Sequence, residues 1–216
     1  MITPQIRTIL WDFNGTLIDD VAICVESVND QLARRGLPRL TMELYRSIFS
    51  IPVAEYLREI GFDFDAESMA DVSAEFHDRY MERFSGCSLH EGVLQATARF
   101  ARAGFTQFVL SAMEEVRLVS VLEAFDIADR FAAIYGLTHL EGSSKIERGR
   151  DLLRDFDIDP STAVMIGDTD HDAEVADALG LESILVSIGH QSEARLRATG
   201  RPVVSTVPDL VDLLPA

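Results

Sequence analysis

Short apolar runs recur along the chain at Ile6–Trp11, Thr106–Leu110, Phe131–Tyr135, Ala163–Ile166, Ser183–Val186 and Val203–Val204. They are rich in β-branched and aromatic residues and hydrophobic almost throughout, the pattern of strands buried on both faces. Between them from about residue 87 onward lie segments of helical periodicity: Val93–Ala103 stopped by Gly104, Val116–Phe125, Ile146–Phe156, and Ala173–Leu179 stopped by Gly180. This alternation predicts an α/β fold, a doubly wound parallel sheet with helices on both faces. Ligands of such sheets bind outside the carboxyl ends of the strands.

Residues 18–85 read differently, with helical periodicity and almost no strand signal. Val21, Val25, Val28 and Leu32 form one stripe that ends at Arg34-Arg35-Gly36, a basic last turn followed by a glycine stop. Thr41 caps a helix running to Phe49, Pro52 suits the first position of another that ends before Gly61, and Met69, Val72, Phe76 and Tyr80 make a second stripe. The expected organisation is a core of residues 1–17 and 86–216, with an all-helical cap of residues 18–85 inserted after the first strand.

Asp12, Ser111 and Asp168 each stand just past a predicted strand end, so the topology can bring them to one crevice. Asp12 could act as a nucleophile there, although Asn14-Gly15 behind it is also a strong turn signal. Asp168, Asp170 and Asp172 open a helix. They either cap it and offset its dipole or hold a cation. A calcium-binding EF-hand loop is excluded, because Ala173 and Leu179 stand where its glycine and final glutamate belong. Ser111 has the spacing of a capping box in SAME, and Ser144 has it in SSKIE, which puts Lys145 in a first helical turn. A cation there opposes the helix dipole, so a purely structural role fits Lys145 poorly. The five histidines show no metal-ligand spacing and read as surface or structural residues; Cys24 and Cys87 read as isolated thiols.

Composition narrows the class. Hydrophobic residues at 47% and charged residues at 25% are globular values. The net charge of −17 repels nucleic acid and anionic lipid surfaces, so a bound phosphorylated molecule needs a local metal or aimed cations. With no apolar run near the roughly 18 residues of a membrane span and no secretory leader pattern, the expected location is cytoplasmic. The 19 basic residues include one lysine, Lys145, against 18 arginines.

Asp12-Phe13-Asn14-Gly15-Thr16-Leu17, then Ser111, Lys145 and Gly167-Asp168-Thr169-Asp170-His171-Asp172 resemble, in order and context, the four motifs of the haloacid dehalogenase-like hydrolase superfamily. The chain is most similar to its phosphoglycolate phosphatase-like branch, whose helical cap follows the first motif. The resemblance implies a magnesium-dependent phosphohydrolase acting on a small phosphorylated metabolite, with Asp12 as the nucleophile that forms an aspartyl-phosphate. Ser111, with Ala112 beside it, and Lys145 would hold the phosphoryl group. Asp12, the carbonyl of Asn14, Asp168 and Asp172 would serve the metal, and Arg46, with SIFSIPVAEY around it, would contact substrate from the cap. The departure is Asn14, since most phosphatases of the family carry there an aspartate that protonates the leaving oxygen and then activates water. An amide does neither. The alternative is therefore a phosphate-binding or regulatory protein that keeps the fold with weak or no turnover.

Overall fold

The computed structural model describes residues 5–138 and 144–214. Six strands form one parallel sheet: β1 (Thr8–Trp11), β4 (Thr106–Glu114), β5 (Ala133–Leu137), β6 (Ala163–Gly167), β7 (Glu182–Val186) and β8 (Val203–Val204), in the spatial order β5-β4-β1-β6-β7-β8. β1 is the switch point, with Trp11 level with Val109 of β4 on one side and with Ile166 of β6 on the other.

The pleat sorts each strand's side chains between two apolar layers. Ile9, Trp11, Val109, Val164 and Ile166 face one layer, packed by helices α5 (Val93–Arg102) and α6 (Glu115–Ala124). Leu10, Phe108, Leu110, Met165 and Ala163 face the other, packed by α7 (Lys145–Asp155) and α8 (Asp170–Leu179). The expected doubly wound sheet is thus present. β7 is followed by α9 (Glu193–Ala198), and α10 (Leu210–Leu213) follows β8.

The region after β1 is helical as expected: α1 (Val21–Arg34), α2 (Met42–Ile48), α3 (Val53–Glu59) and α4 (Met69–Phe84). These helices bury an apolar cluster of their own, to which Val21, Val25, Val28, Leu32 and Val72 all belong. Thr41 caps α2 by accepting from the Leu44 amide at 3.1 Å. Pro52 precedes α3 as its cap rather than occupying its first turn. The chain enters and leaves the cap through a two-stranded antiparallel stem, β2 (Ile18–Asp19) against β3 (Ser88–Leu89).

Two expectations need correction. β5 begins two residues later than the apolar run that predicted it, because Phe131 packs into the core as the cap of a short 3-10 turn. Ser111 does not cap a helix. β4 runs on through it to Glu114, with a register irregularity against β5 between Leu110 and Glu114, and it is Glu114 that caps α6 by accepting from the Arg117 amide. Bulges of this kind re-aim side chains beside active sites. Here the Ser111 hydroxyl turns to accept from the Met113 amide at 3.1 Å.

Gly167 ends β6 where a Cβ would overlap the buried Asp172 carboxylate. Gly167→Ala is therefore expected to cost about 1–3 kcal/mol of stability, the usual range for overpacking, and to displace Asp172. An unchanged denaturation midpoint would contradict this packing.

Candidate active site

The carboxyl edge of β1 and β6 gathers a buried charge cluster. Asp12 follows β1, fixed by its amide donating to the Ile166 carbonyl at 2.8 Å. Asp168 follows β6. Lys145 opens α7, whose Ser144–Glu147 capping box sets the helix start, and its Nζ donates to Asp12 Oδ1 and, at 2.6 Å, to Asp172 Oδ1. Asp172 is aimed from α8 because its other oxygen accepts from the Thr169 amide at 3.0 Å and the Thr169 hydroxyl at 2.7 Å. Asp168 accepts from the Thr16 hydroxyl at 3.0 Å and the His190 amide at 2.6 Å. Asp170 points elsewhere, held by Gln191 at 2.7 Å and Arg195 at 2.8 Å.

Ligand oxygens of Asp12, Asp168 and Asp172 lie within 4.8 Å of one another. Three carboxylates against one lysine leave the cluster short of positive charge, and an all-oxygen set suits magnesium. Burial, resisted by Lys145 and reinforced by the neighbouring carboxylates, raises Asp12 to about 8. Burial likewise raises Asp168 to about 6. Such carboxylates accept a cation readily, so the residues fit the ion.

Beside this cluster lies a second network. Asn14 donates from Nδ2 to Asp20 Oδ2 at 2.7 Å and to the Tyr80 hydroxyl at 3.1 Å. Asp20 also accepts from Tyr80 at 2.8 Å and from the Gly15 amide at 2.9 Å, and His190 Nε2 stands 3.4 Å from its Oδ1. The other ring nitrogen of His190 meets the Tyr45 hydroxyl at 2.9 Å. Gly15, at φ +73°, has no room for a Cβ against Asp168 and His190. The Asn14-Gly15 turn is therefore real, and it is also part of the site. Asp20, Cys24 and His190 lie close enough to suggest a metal cluster, yet Asp20 is already saturated by its own neighbours.

Asp12, Asn14, Ser111, Ala112, Lys145, Asp168 and Asp172 all line one cavity of about 960 Å³ between sheet and cap. The segment around Arg46 contributes Phe49, Ile51 and Tyr56 to it. Arg46 itself is turned to the core, donating to the Ile188 carbonyl at 2.8 Å, while its own carbonyl accepts from the Ser192 amide at 2.9 Å. It joins cap to core. The reading of all histidines as surface or structural is corrected at His190, which is buried at the centre of the site; His77 and His171 line the cavity, and His139 lies outside the described residues. Asp20 was not anticipated either. His190 follows β7 and was open to the same strand-end reasoning that picks out Asp12 and Asp168.

A doubly wound sheet with an aspartate-lysine crevice at its switch point and a cap rooted behind the first strand defines a hydrolase core. The chain belongs to the haloacid dehalogenase-like hydrolase family, whose model matches residues 9–186. It is similar to tyrosine-protein kinase PtkA of Mycobacterium tuberculosis, with 27% identity over 98% of this chain and 72% of that protein. It is also similar to a phosphoglycolate phosphatase of Caulobacter vibrioides, with 30% identity over 86% of this chain and 81% of that one. A haloacid dehalogenase-like family hydrolase from Streptococcus pneumoniae superposes with a TM-score of 0.85 over 98% of this chain and 99% of that chain, at 16% identity, which speaks for the fold. Among the described residues no helix is long and apolar enough to cross a membrane.

The two networks set a pH dependence. Burial alone would lower His190, but the charge and hydrogen bond of Asp20, together with the charges of Asp168 and Asp12, outweigh it and raise His190 to about 9, while His190 and its fellow donors hold Asp20 below its ordinary value against the effect of burial. The His190 contribution to stability is complete below its unfolded pKa of about 6.5 and is lost as pH rises through about 9. The Asp20 contribution is present above about pH 4 and is lost only in acid. Asp12, raised to about 8, also keeps a proton that the unfolded chain has lost, so it too makes stability fall as pH rises. Without divalent ions the melting temperature should decline from about pH 5 to about pH 9. Magnesium, which needs ionised ligands, should raise it more at about pH 8 than at about pH 5. Calorimetry with magnesium or chelator tests this; equal shifts at both pH values would refute it.

Proposed function

We propose that the protein is a magnesium-dependent phosphohydrolase that cleaves phosphate monoesters through an aspartyl-phosphate on Asp12. The observation that carries this reading is the convergence of Asp12, Asp168 and Asp172 around Lys145 at the switch point, where ligands of such sheets bind. Asp12, Asp168 and Asp172, with the main-chain carbonyl of Asn14, would hold the ion, which offsets the charge of the phosphoryl oxygens when bound. Asp12 presents a carboxylate oxygen to phosphorus, and Lys145, fixed by Asp172, keeps it aimed and neutralises charge where it builds. Ser111 and the backbone at Ala112 lie on the lining where the phosphoryl oxygens need donors. The family relationship and the phosphoglycolate phosphatase relative support a phosphatase.

Asn14 favours a second reading, a binding or regulatory protein with little turnover, because its amide is engaged by Asp20 and Tyr80 and is neither acidic nor basic enough for proton transfer. The two are separated by phosphate release from a broad panel of monoesters with and without magnesium. The phosphohydrolase reading expects magnesium-dependent release, no activity in Asp12→Asn, and a loss of about 10²–10³-fold in kcat for Lys145→Met. If no ester is cleaved, or if Asp12→Asn keeps its rate, the proposal fails.

A further inference from the structure

We infer that the substrate is an aryl phosphate, a monoester of a phenol with an apolar ring, rather than a small acid or sugar phosphate. The inference rests on the phosphohydrolase reading above, and two independent features carry it.

The first is the cavity above the charge cluster. Its volume of about 960 Å³ lies at the upper end of the roughly 300–1,000 Å³ range of ligand sites, far more than a two-carbon acid fills. Its cap side presents Phe49, Ile51, Tyr56, Val72, Phe76 and Tyr80. Phe76 stacks on Tyr80 with ring centroids 5.8 Å apart, so α4 offers a continuous aromatic face. Among the described residues no arginine or lysine of the cap lines the cavity. Arg46 is engaged with the core, and burial, helped by nearby Arg117, lowers the pKa of His77. Arg117 lines the wall from α6 on the core side, next to Glu114, whose carboxylate accepts from the Arg117 backbone amide at 3.2 Å. The cap's polar lining groups, among them Gln31, Tyr56, Ser73 and His77, are outweighed by its apolar and aromatic ones. A ring therefore gains most of its burial here, whereas a second carboxylate meets no cap cation to offset its desolvation.

The second feature is Asn14. With no acid at this position, the leaving oxygen departs as an anion. A phenolate, with a conjugate-acid pKa of about 10, leaves this way far more readily than an aliphatic alkoxide, closer to the value of about 15.7 for water. In the first half-reaction the Asp12 oxygen bonds to phosphorus as the P–O(aryl) bond breaks, and the bonding pair leaves on the phenolate, which then takes a proton from water. In the second, water bonds to phosphorus as the P–O(Asp12) bond breaks, the bonding pair returns to Asp12 as its carboxylate, and the water's protons leave with the inorganic phosphate or pass to solvent. Asn14 withholds help from this half too, so phenol is released faster than phosphate.

The test compares phenyl phosphate, benzyl phosphate, phosphoglycolate and a hexose phosphate with the magnesium-loaded protein, and measures inhibition by benzylphosphonate and 3-phosphonopropionate. Expected are a burst of one equivalent of phenol, kcat/KM at least about 10²-fold higher for phenyl than for benzyl phosphate, and benzylphosphonate binding at least ten-fold tighter than 3-phosphonopropionate. Asn14→Asp should raise turnover of benzyl phosphate selectively, and Phe76→Arg should reverse the preference between the two phosphonates. Equal cleavage of phenyl and benzyl phosphates, or tighter binding of 3-phosphonopropionate, would overturn the inference. Phosphate release confined to phosphoglycolate or the hexose phosphate would overturn it and leave the phosphohydrolase reading standing; no release from any of the four would also overturn it, and the phosphohydrolase reading would fall with it when the broad panel is silent too.

Discussion

The buried lysine between two carboxylates holds the crevice together. Lys145 bonds Asp12 on one side and Asp172 on the other, and all three are buried. Burying charges is costly unless each is paired and its remaining hydrogen-bonding capacity is met. The local structure around the three is largely a means of doing so: a capping box starts α7 at Lys145, Thr169 saturates the far oxygen of Asp172, and Gly167 makes room for that side chain. One cation still falls short of three carboxylates. That deficit makes the edge of the sheet a place for further positive charge and, through it, for a phosphoryl group.

The core was legible because its strands obey the simplest rule, alternation between two buried layers, and because turn and cap chemistry agree with it at Gly104, Gly180 and Ser144, as Thr41 does in the helical insertion. Ser111 was misread as a cap because the pairing that extends β4 past it is with β5, a tertiary contact invisible in SAME. His190 had no ligand spacing to betray it, and it reaches the crevice from the loop beyond β7 rather than from directly after a strand end, as Asp12 and Asp168 do. Asp20 carried no signal in the sequence: it occupies the cap position of α1, yet its side chain makes no cap bond and turns back to Asn14 instead. Arg46 looked like an exposed cation available to substrate, but the loop after β7 claims it.

Asn14 acquires a reason from these neighbours. A carboxylate in its place would face the Asp20 carboxylate in a buried site, and the two would have to share a proton. The amide instead offers a donor to Asp20 and leaves the nucleophile's turn neutral. On the proposed mechanism the same residue links a structural fit on the core side to a chemical restriction on the leaving group, and the aromatic wall of the cap would supply the other half of the selection.

The stem has a consequence for how this chain can change. Ile18 pairs with Leu89 and Asp19 with Ser88, so the whole helical insertion leaves and rejoins the sheet at adjacent points. The entropy of closing a loop grows only with the logarithm of its length, and here the closure is already fixed by paired backbone at its base. Helices can be lengthened, exchanged or re-lined above that knot at little cost to the folding of the sheet below. The part of the molecule that selects is topologically separable from the part that reacts.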